Sequence, residues 1–532
     1  MFKKYFIFLS ILVYTTLSYA QKKDKSEADK VYAKELFVNQ NYKKALNEYI
    51  LLLKTDSTNL TYKHNIALCY INLNIEKLQA IKLLESIIRQ PKYDPNACYD
   101  LALVYHRMNR FEDAIKYYRI FIALINNKDK NYIPATRQIE MCENAKILIE
   151  KPINISFESL GNEINTMGPD FRPFISSDEN FLVFTSKRPG NIGSLIEFDG
   201  FNTADIFSCN YENRWGKPKR LPTIINSPLS EDCTGLTADG NTLVIHYDNE
   251  KFMGDIMVSD LKGKSFLRPL NASPVINSDK VESAACLTPD KQTMFFASNR
   301  EGGEGAKDLY YSRKLPSGDW SEAINLGSNI NTLYDENFPY ISTDGETLYF
   351  CSVGHNSMGG YDIFKAKWDK DAYTFSKPEN LGFPLNTSDD ERTISFTKSG
   401  RYAYMDAIKK DGMGESDIYK ITFNDIPPAY TIVSGKISLG DTTLSEISTI
   451  DTSLISENIK ITVIDKKTKL PIGKFLPNKI SAKYLVILLP GEYIFKFEGK
   501  NINDLEFELN IPDRESTEKE LYKDILLTQN KL

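Results

Sequence analysis

The sequence predicts a multidomain chain, with α-helical repeats first, an all-β propeller of five blades next and a short β domain last. An acid–aliphatic–bulky triplet recurs five times at intervals of 50 to 55 residues, between residues 205 and 419. Upstream of it, apolar residues recur at helical spacing in units of about 34 residues. After Pro427-Pro428, apolar and polar residues alternate with the period of a β-strand. A chain of 532 residues is also too long for one ordinary core.

The amino terminus, residues 1–20, is predicted to be a secretory signal peptide. Lys3 and Lys4 precede an apolar run, and the run ends in Ser18-Tyr19-Ala20, with small residues at the positions that a signal peptidase reads. The run is shorter than the roughly 20 apolar residues that a transmembrane helix needs. We therefore expect cleavage before Gln21 and export, and we find no later segment apolar enough to span a bilayer.

Composition and motifs argue against several function classes. The formal net charge of -6 is unfavourable for general nucleic-acid binding, which needs Lys and Arg to neutralise phosphates. The seven cysteines form no CxxC pair, so we expect buried small hydrophobic residues and leave one or two disulfides open. The four histidines lack metal-ligand spacing, and GxSxG and Walker motifs are missing from the sequence. The sequence therefore predicts no catalytic residue, no metal and no cofactor.

Residues 21–150 are predicted to be helical repeats. Three units align with one another, and each carries a small residue where two helices cross, namely Ala45, Ala80 and Ala114. These units resemble tetratricopeptide repeats over residues 28–126, with a capping helix at 133–150. Asn39, Asn74 and Asn109 stand where that family usually has glycine. The resemblance implies a concave groove that holds a segment of a partner protein, and the alternative is a rigid spacer.

Residues 153–425 are predicted to form the propeller. Polar turns such as Asp239-Gly240, Asp344-Gly345 and Ser399-Gly400 join two apolar runs, which is the signature of a β-hairpin. Four strands per unit is what one propeller blade requires. The fifth unit lacks a fourth strand. The segment that matches the fourth-strand region of other units lies before the first unit, at residues 158–166. We therefore expect that segment to complete blade five and to close the ring.

The repeated triplet is interpreted as the start of the third strand of each blade. Its acid is predicted to accept hydrogen bonds from backbone N–H groups of the preceding glycine-rich loop. The triplets begin at Asp205, Asp255, Asp308, Asp362 and Asp417. The units resemble the WD40-like PD40 repeats of TolB-type periplasmic propellers, as in "STDGETLYFCS" and "GGYDIF", over about half of the chain. This resemblance implies a fold but no activity, because propellers host many activities.

A second repeated pattern supplies the candidate site. Each unit begins with I/L-N-S/T, and its asparagines are Asn165, Asn226, Asn277, Asn331 and Asn386. Five residues after each asparagine stands an acid, at Asp170, Glu231, Glu282, Glu336 and Glu391. Further negative charge is expected on the same face from Asp232, Asp335, Asp389 and Asp390. A ring of carboxylates would favour a cation or a basic partner segment. The alternative is that each asparagine closes a turn and each acid meets a neighbouring blade.

Residues 430–527 alternate in the strand period. The order V-x-G-K-I, I-x-V-x-D-x-x-T and L-P-x-G-x-Y resembles the carboxypeptidase-regulatory-like β-sandwich, a module without catalysis. The charged run "DRESTEKELYKD", residues 513–524, is predicted to be a solvated edge before a last strand.

Taken together, the chain resembles PorE-type envelope proteins, a family associated with type IX secretion and gliding machinery. Its members usually end in an OmpA-like domain that grips peptidoglycan, and the sequence up to Leu532 shows none, so peptidoglycan binding is not expected. The resemblance implies a non-catalytic scaffold in the periplasm or at the periplasmic side of the outer membrane. It would bind envelope proteins through the helical groove and the propeller face. The alternatives are a ligand- or cation-sensing propeller and a glycan-active enzyme using an acid pair such as Glu336 and Glu391.

Overall fold

The computed structural model of the chain describes residues 29–125, 132–247, 254–440, 459–500 and 502–528. The predicted signal peptide lies outside these residues. Helices occupy the amino-terminal part, and strands dominate the rest. Over the described ranges, no helix is both long and apolar enough to cross a membrane.

The amino-terminal helices follow one another in antiparallel pairs. They are α1 (Lys30–Val38), α2 (Tyr42–Thr55), α3 (Leu60–Asn72), α4 (Lys77–Ile88), α5 (Asn96–Arg107), α6 (Phe111–Leu124) and α7 (Tyr132–Ile149). Ala45, Ala80 and Ala114 are fully buried where the helices cross, as predicted. The turns inside two pairs place Asn74 and Asn109 at φ of 56° and 57°. Asparagine tolerates this left-handed conformation, which explains how it replaces glycine there.

The described residues of the central part of the chain form five antiparallel sheets, which we number 1 to 5. Sheet 1 contains β2 (Asp170–Ile175), β3 (Phe181–Ser186), β4 (Asp205–Asn210) and β5 (Lys219–Arg220). Sheet 2 contains β6 (Glu231–Leu236), β7 (Thr242–Tyr247), β8 (Asp255–Lys262), β9 (Ser265–Phe266) and β10 (Leu270–Asn271). Sheet 3 contains β11 (Glu282–Leu287), β12 (Thr293–Ser298), β13 (Asp308–Arg313) and β14 (Ile324–Asn325).

Sheets 4 and 5 continue the same pattern. Sheet 4 contains β15 (Glu336–Ile341), β16 (Thr347–Ser352), β17 (Asp362–Asp369), β18 (Thr374–Phe375) and β19 (Glu379–Asn380). Sheet 5 contains β20 (Ile394–Phe396), β21 (Tyr402–Ala407), β22 (Asp417–Phe423) and, from before sheet 1, β1 (Ile155–Ser159). A short helix, α8 (Gly161–Ile164), links β1 to β2. β1 pairs antiparallel with β22 from Ile155 opposite Phe423 to Ser159 opposite Tyr419, so the predicted completion of the last unit is confirmed.

The five sheets contact one another in a ring. The first strands of sheets 1, 2, 3 and 4 pack in succession, and β2 also packs on β20 and β21 of sheet 5. Between sheets 4 and 5, the Tyr340 hydroxyl donates to the Phe396 carbonyl over 3.1 Å. The predicted hairpin turns occur, with Gly240, Gly345 and Gly400 all at φ of 72°. Glycine suits this conformation because it lacks a Cβ.

The described residues after the linker at Pro427-Pro428 form two further sheets. Sheet 6 contains β23 (Thr431–Gly440), β26 (Lys483–Leu488), β29 (Glu520–Tyr522) and β30 (Ile525–Thr528), with β26 at one edge. Sheet 7 contains β24 (Ile459–Asp465), β25 (Pro471–Phe475), β27 (Gly491–Gly499) and β28 (Leu505–Ile511), with β25 and β28 at its edges. Inward side chains of both sheets, such as Val433 and Phe495, belong to one buried cluster.

All seven cysteines are buried and none forms a disulfide. They act as small hydrophobic residues, which was the favoured prediction. One other prediction is corrected. The first residues of the charged run 513–524 are not a solvated edge, because Asp513, Arg514 and Glu515 bind sheets 1 and 5. The run then continues into β29.

Candidate functional site

The five repeated asparagines each bind the backbone of a third strand. Asn226 Oδ1 accepts from Ile206 N over 2.8 Å, and its Nδ2 donates to Ile206 O over 3.0 Å. The other four make the same two bonds, Asn165 with Ile418, Asn277 with Ile256, Asn331 with Leu309 and Asn386 with Ile363. In every case the partner is the aliphatic residue of the repeated triplet. The two repeated patterns therefore occur together because one binds the other.

The five repeated acids each close the turn that follows the asparagine. Glu336 accepts from the backbone N and the Oγ1 of Thr332, both over 2.8 Å. The same pair of bonds joins Asp170 to Thr166, Glu231 to Ser227, Glu282 to Ser278 and Glu391 to Thr387. All five acids are at most 5% exposed. The structure thus places the acids inside their own connecting turns, whereas the alternative stated above had the asparagine close the turn and the acid meet a neighbouring blade.

The acids differ in whether a cation lies beside them. Arg188 lies 2.7 Å from Asp170, and Arg300 lies 3.2 Å from Glu282. Among the described residues, no ion pair reaches the other three acids, which are Glu231, Glu336 and Glu391. Burial raises the pKa of Glu231 and of Glu336 to about 7, and it raises the pKa of Glu391 well above its usual range. The same sequence position therefore holds two electrostatic types of carboxyl group.

The triplet aspartates cap the preceding loops, as predicted. Asp362 Oδ2 accepts from Met358 N over 2.9 Å, and Asp205 Oδ2 accepts from Ile192 N over 2.9 Å. Asp308 accepts from the backbone of two loop residues, and Asp417 accepts from Met413 N. The loop before Asp255 includes residues outside the described ranges. The repeated triplet is therefore a loop cap in four sheets.

The additional acids of the same face have partners within the chain. Asp232 lies 2.7 Å from Arg172, Asp390 lies 2.9 Å from Arg392, and Asp335 accepts from the Tyr361 hydroxyl over 3.2 Å. Asp389 lies 3.2 Å from Arg107 of α5. Within the described part of the chain, no group of three or more His, Cys, Asp or Glu side chains could hold a metal ion. Binding of a cation or a basic segment by the ten repeated residues stays a prediction.

The helices bind the loops of sheet 4 at the end of the strands that carries these repeated loops, which we call the loop end. The guanidinium of Arg137 in α7 donates to the carbonyls of Val353, Gly354 and His355 and to the Ser357 hydroxyl, over 2.8 to 3.1 Å. This side chain is 7% exposed. His106 Nε2 lies 2.8 Å from the carbonyl of Met358, and the Met358 side chain is buried in the helix core. We call these bonds the helix contact.

The helix contact was not predicted from the sequence. Arg137 lies in an ordinary polar stretch of α7, "TRQIEM", in which an arginine is normally solvated. The loop that it binds, residues 353–358, follows β16 in the same place as the loops that follow the second strands of the other sheets. The helical stack also approaches sheet 1, where a side chain at Gly200 would lie 2.5 Å from Asn41. The predicted partner face is therefore covered in part by the chain's own helices.

A second contact lies at the opposite end of the strands, which we call the turn end because it carries the hairpin turns. Asp513 lies 3.0 Å from Arg401, and Arg514 stacks over the Tyr211 ring at 3.4 Å. Glu179 is buried and accepts from the backbone N of Glu515 over 2.6 Å. We call these bonds the C-terminal contact. Since antiparallel strands put alternate connections at opposite ends, the two contacts lie at opposite ends of the sheets.

A cavity of about 780 Å³ opens between α3 and α5. His64 Nε2 and Asp100 Oδ2 lie 2.6 Å apart in its wall. Burial raises the pKa of Asp100, and the bond from His64 opposes this shift. Thr61 and Asn96 line the cavity and are exposed, whereas Leu68 adds an apolar wall. The helices thus line a cavity with polar, charged and apolar walls, and binding of a partner segment there stays a prediction.

Comparisons with known proteins give structural similarity only. No protein-family profile and no curated protein matches the sequence. A solved structure named as TolB from Agrobacterium tumefaciens is 14% identical, covers 51% of this chain and 97% of its own, and gives a TM-score of 0.28. The periplasmic gluconolactonase of Pseudomonas aeruginosa is 12% identical, with coverages of 47% and 88% and a TM-score of 0.29. An α-L-arabinanase of Penicillium chrysogenum is 8% identical, with coverages of 51% and 99% and a TM-score of 0.30.

Proposed function

We propose that the chain is a non-catalytic scaffold that holds protein partners in the cell envelope. In this proposal the five sheets are five blades of one propeller over 153–425, and sheets 6 and 7 form a β-sandwich over 430–527. The helices of 21–150 are a tetratricopeptide-like stack. One observation carries the proposal. The five sheets hold the helices at one end through the buried Arg137, and they hold the carboxy-terminal sheets at the other end through the buried Arg401. The residues that line the cavity between α3 and α5 take part in neither contact.

The cavity is the proposed partner site. Its volume of about 780 Å³ suits several side chains of an inserted peptide. The wall offers hydrogen-bond donors and acceptors from Asn65, Asn96 and Lys92 beside the apolar Leu68 and Ile87. Such a mixture favours a peptide segment over a purely apolar ligand, because a peptide backbone must satisfy its own polar groups on burial.

One observation favours a scaffold over an enzyme. The carboxyl oxygens of Glu336 and Glu391 accept hydrogen bonds from residues of their own turns. A glycosidase needs two carboxyl groups that flank a bound sugar. We expect Glu336→Gln to leave any glycan turnover unchanged, and loss of a turnover in this variant would favour the enzyme instead. Calorimetry with Ca²⁺ tests the sensing alternative, for which we expect no heat of binding.

The cellular setting is part of the same proposal. We place the chain in the periplasm or at the periplasmic side of the outer membrane, with partners among envelope proteins of the type IX secretion or gliding machinery. This placement is supported by the predicted signal peptide and by the resemblance of the domain order to PorE-type proteins.

The experiment that tests the proposal is cross-linking in cells, followed by affinity capture and mass spectrometry. Thr61→Arg with Asn96→Arg fills the cavity from two exposed positions. The matched control is Asn47→Arg with Gln79→Arg, at exposed positions outside the cavity. We expect the cavity variant to lose envelope partners that the control retains. Capture of the same proteins by both variants would contradict the groove, and capture of none by the unmodified chain would contradict the scaffold.

A further inference from the structure

The carboxy-terminal sheets carry a surface with a charge unlike that of the rest of the chain. Residues 466–489 contain six lysines and no Asp, Glu, Arg or His, whereas the whole chain has a net charge of -6. Lys466 pairs with Glu492 and Glu508. The other five are exposed and make no ion pair with another described residue, namely Lys467, Lys469, Lys474, Lys479 and Lys483. We call residues 466–489 the lysine-rich edge.

The lysine-rich edge also exposes aliphatic side chains. Their exposed fractions range from 41% to 86%, for Leu470, Ile472, Leu476, Ile480, Leu485, Ile487 and Leu489. Ile480 is the most exposed large hydrophobic side chain of the described residues. Four of the five unpaired lysines, Lys469, Lys474, Lys479 and Lys483, stand within two residues of one of these side chains. Scattered apolar side chains are ordinary on a protein surface, but a continuous group indicates a contact site.

The fold brings this stretch to one side of the two sheets. β25 is an edge strand of sheet 7, β26 is an edge strand of sheet 6, and the two strands contact each other. Leu485 and Ile487 point outward from β26, while Tyr484, Val486 and Leu488 point into the core. The C-terminal contact follows β28 and precedes β29, which lie at the other edges of the sheets. The lysine-rich edge therefore lies away from the segment that binds the propeller.

We propose that the lysine-rich edge docks on the surface of a bilayer that contains anionic phospholipids. Lysine side chains near such a surface are attracted to the headgroup phosphates. Leucine and isoleucine side chains gain by entering the boundary between headgroups and acyl chains. The close alternation of both kinds of side chain meets both requirements on one surface. The contact is peripheral, and it adds a membrane surface to the protein partners of the proposed scaffold.

Other occupants fit these side chains less well. A single-stranded nucleic acid would need aromatic side chains for base stacking, but Tyr484 is buried and Phe475 is half-buried. Pairing of β26 with a second copy would bring two sets of unpaired lysines together, and like charges oppose such pairing. An acidic protein could balance the charge, and the experiment below separates that outcome from a bilayer.

The test is co-sedimentation of the chain from Gln21 onward with vesicles. One set contains phosphatidylcholine alone, and the other contains about one third phosphatidylglycerol. We expect sedimentation with the second set only, and release by salt because the attraction is screened. Replacing Lys469, Lys474, Lys479 and Lys483 by Gln should weaken the affinity by roughly fivefold per lysine, or several hundredfold in total.

Two more variants make the result specific. Leu476→Ser with Ile480→Ser keeps every charge and should weaken binding by about tenfold. The matched control replaces exposed lysines elsewhere, at Lys34, Lys54, Lys82 and Lys264, by Gln, and it should bind as the unmodified chain does. Circular dichroism checks the fold of each variant. The proposal is overturned if the unmodified chain does not sediment with anionic vesicles. That result is expected if the lysine-rich edge binds an acidic protein or a second copy of the chain instead of a bilayer. The proposal is also overturned if the four-lysine variant binds equally well.

Discussion

At the scale of single residues, one repeated position carries carboxyl groups in two different settings. Asp170 and Glu282 lie beside an arginine, whereas Glu231, Glu336 and Glu391 are buried with hydrogen bonds alone. A buried carboxylate without a cation is disfavoured against its protonated form. The turn therefore holds a group whose protonation affects the stability of the fold.

The first prediction concerns Glu336→Gln. Because the pKa of Glu336 rises to about 7 in the folded protein, the folded state binds more protons than the unfolded state between pH of about 4.5 and 7. The unfolding free energy contributed by Glu336 therefore falls as the pH rises through this window. Glutamine has no charge to bury, so the variant should be more stable at pH 8, by about 3 kcal/mol at most, and similar at pH 5. Thermal unfolding at both values measures this difference.

Glu282→Gln is the matched control for that prediction. Arg300 lies 3.2 Å from Glu282, and its side chain is 16% exposed. Removing the carboxylate leaves a mostly buried guanidinium with an uncompensated charge. We expect this variant to lower the unfolding temperature at pH 8, opposite in sign to Glu336→Gln. Equal shifts in both variants would contradict the role assigned to the arginine.

At the scale of secondary structure elements, each asparagine joins a third strand to the chain segment that leaves the sheet. Asn386 is fully buried, and its side chain satisfies the N–H and the carbonyl of Ile363. Asn277 makes the same bonds to Ile256, but it is half-buried. Water can therefore replace the second side chain more easily than the first.

The second prediction compares these two sites. Asn386→Ala leaves two buried backbone groups without partners and should lower the unfolding free energy by about 2 to 4 kcal/mol. Asn277→Ala should cost about half as much, because water reaches the freed groups. Urea unfolding followed by tryptophan fluorescence measures both variants. Equal losses would show that exposure does not govern the contribution of this side chain.

Much of this element pattern was predictable from the sequence. Three motifs recur in the same order in the units: the triplets, the polar turns and the I/L-N-S/T motif. This repetition inside one chain identified the hairpins and the pairing of β1 with β22. The burial of the acids was harder to predict, because a carboxylate at a turn is usually solvated. Only the hydrogen bonds to the Ser or Thr four residues earlier show that the acid folds back into its own turn, and a sequence does not show that distance.

The two contacts at the sheet ends were beyond sequence reasoning for a related reason. Each depends on one or two charged side chains, Arg137 at the loop end and Asp513 with Arg514 at the turn end. These residues stand in charged stretches that look solvated. Their contacts result from docking between distant parts of the chain, and no local pattern encodes such docking.

At the scale of the whole molecule, the ring of sheets holds a separate unit at each end. The third prediction concerns Arg137→Ala, which leaves the carbonyls of Val353, Gly354 and His355 without their donor. The helix contact should weaken by about 3 to 5 kcal/mol, since a buried charged network loses its central member. Faster hydrogen exchange in the loop 353–358 measures the loss. Arg89→Ala is the control, because that side chain is 74% exposed. Its removal should change the free energy of unfolding by about 0.5 kcal/mol or less.

The last prediction asks whether the two ends are independent. Asp513→Ala removes the partner of Arg401, whose side chain is 9% exposed, and should loosen the C-terminal contact by about 2 to 4 kcal/mol. It leaves the helix contact untouched, because the two contacts share no residue and lie at opposite ends of the strands. The double variant with Arg137→Ala should therefore show exchange at each end equal to that of the single variant, with free energies additive within about 0.5 kcal/mol. Coupling well above that value would mean that the five sheets transmit a change from one end to the other, as a switch does. Additivity would mean that they are a rigid holder, as a scaffold requires.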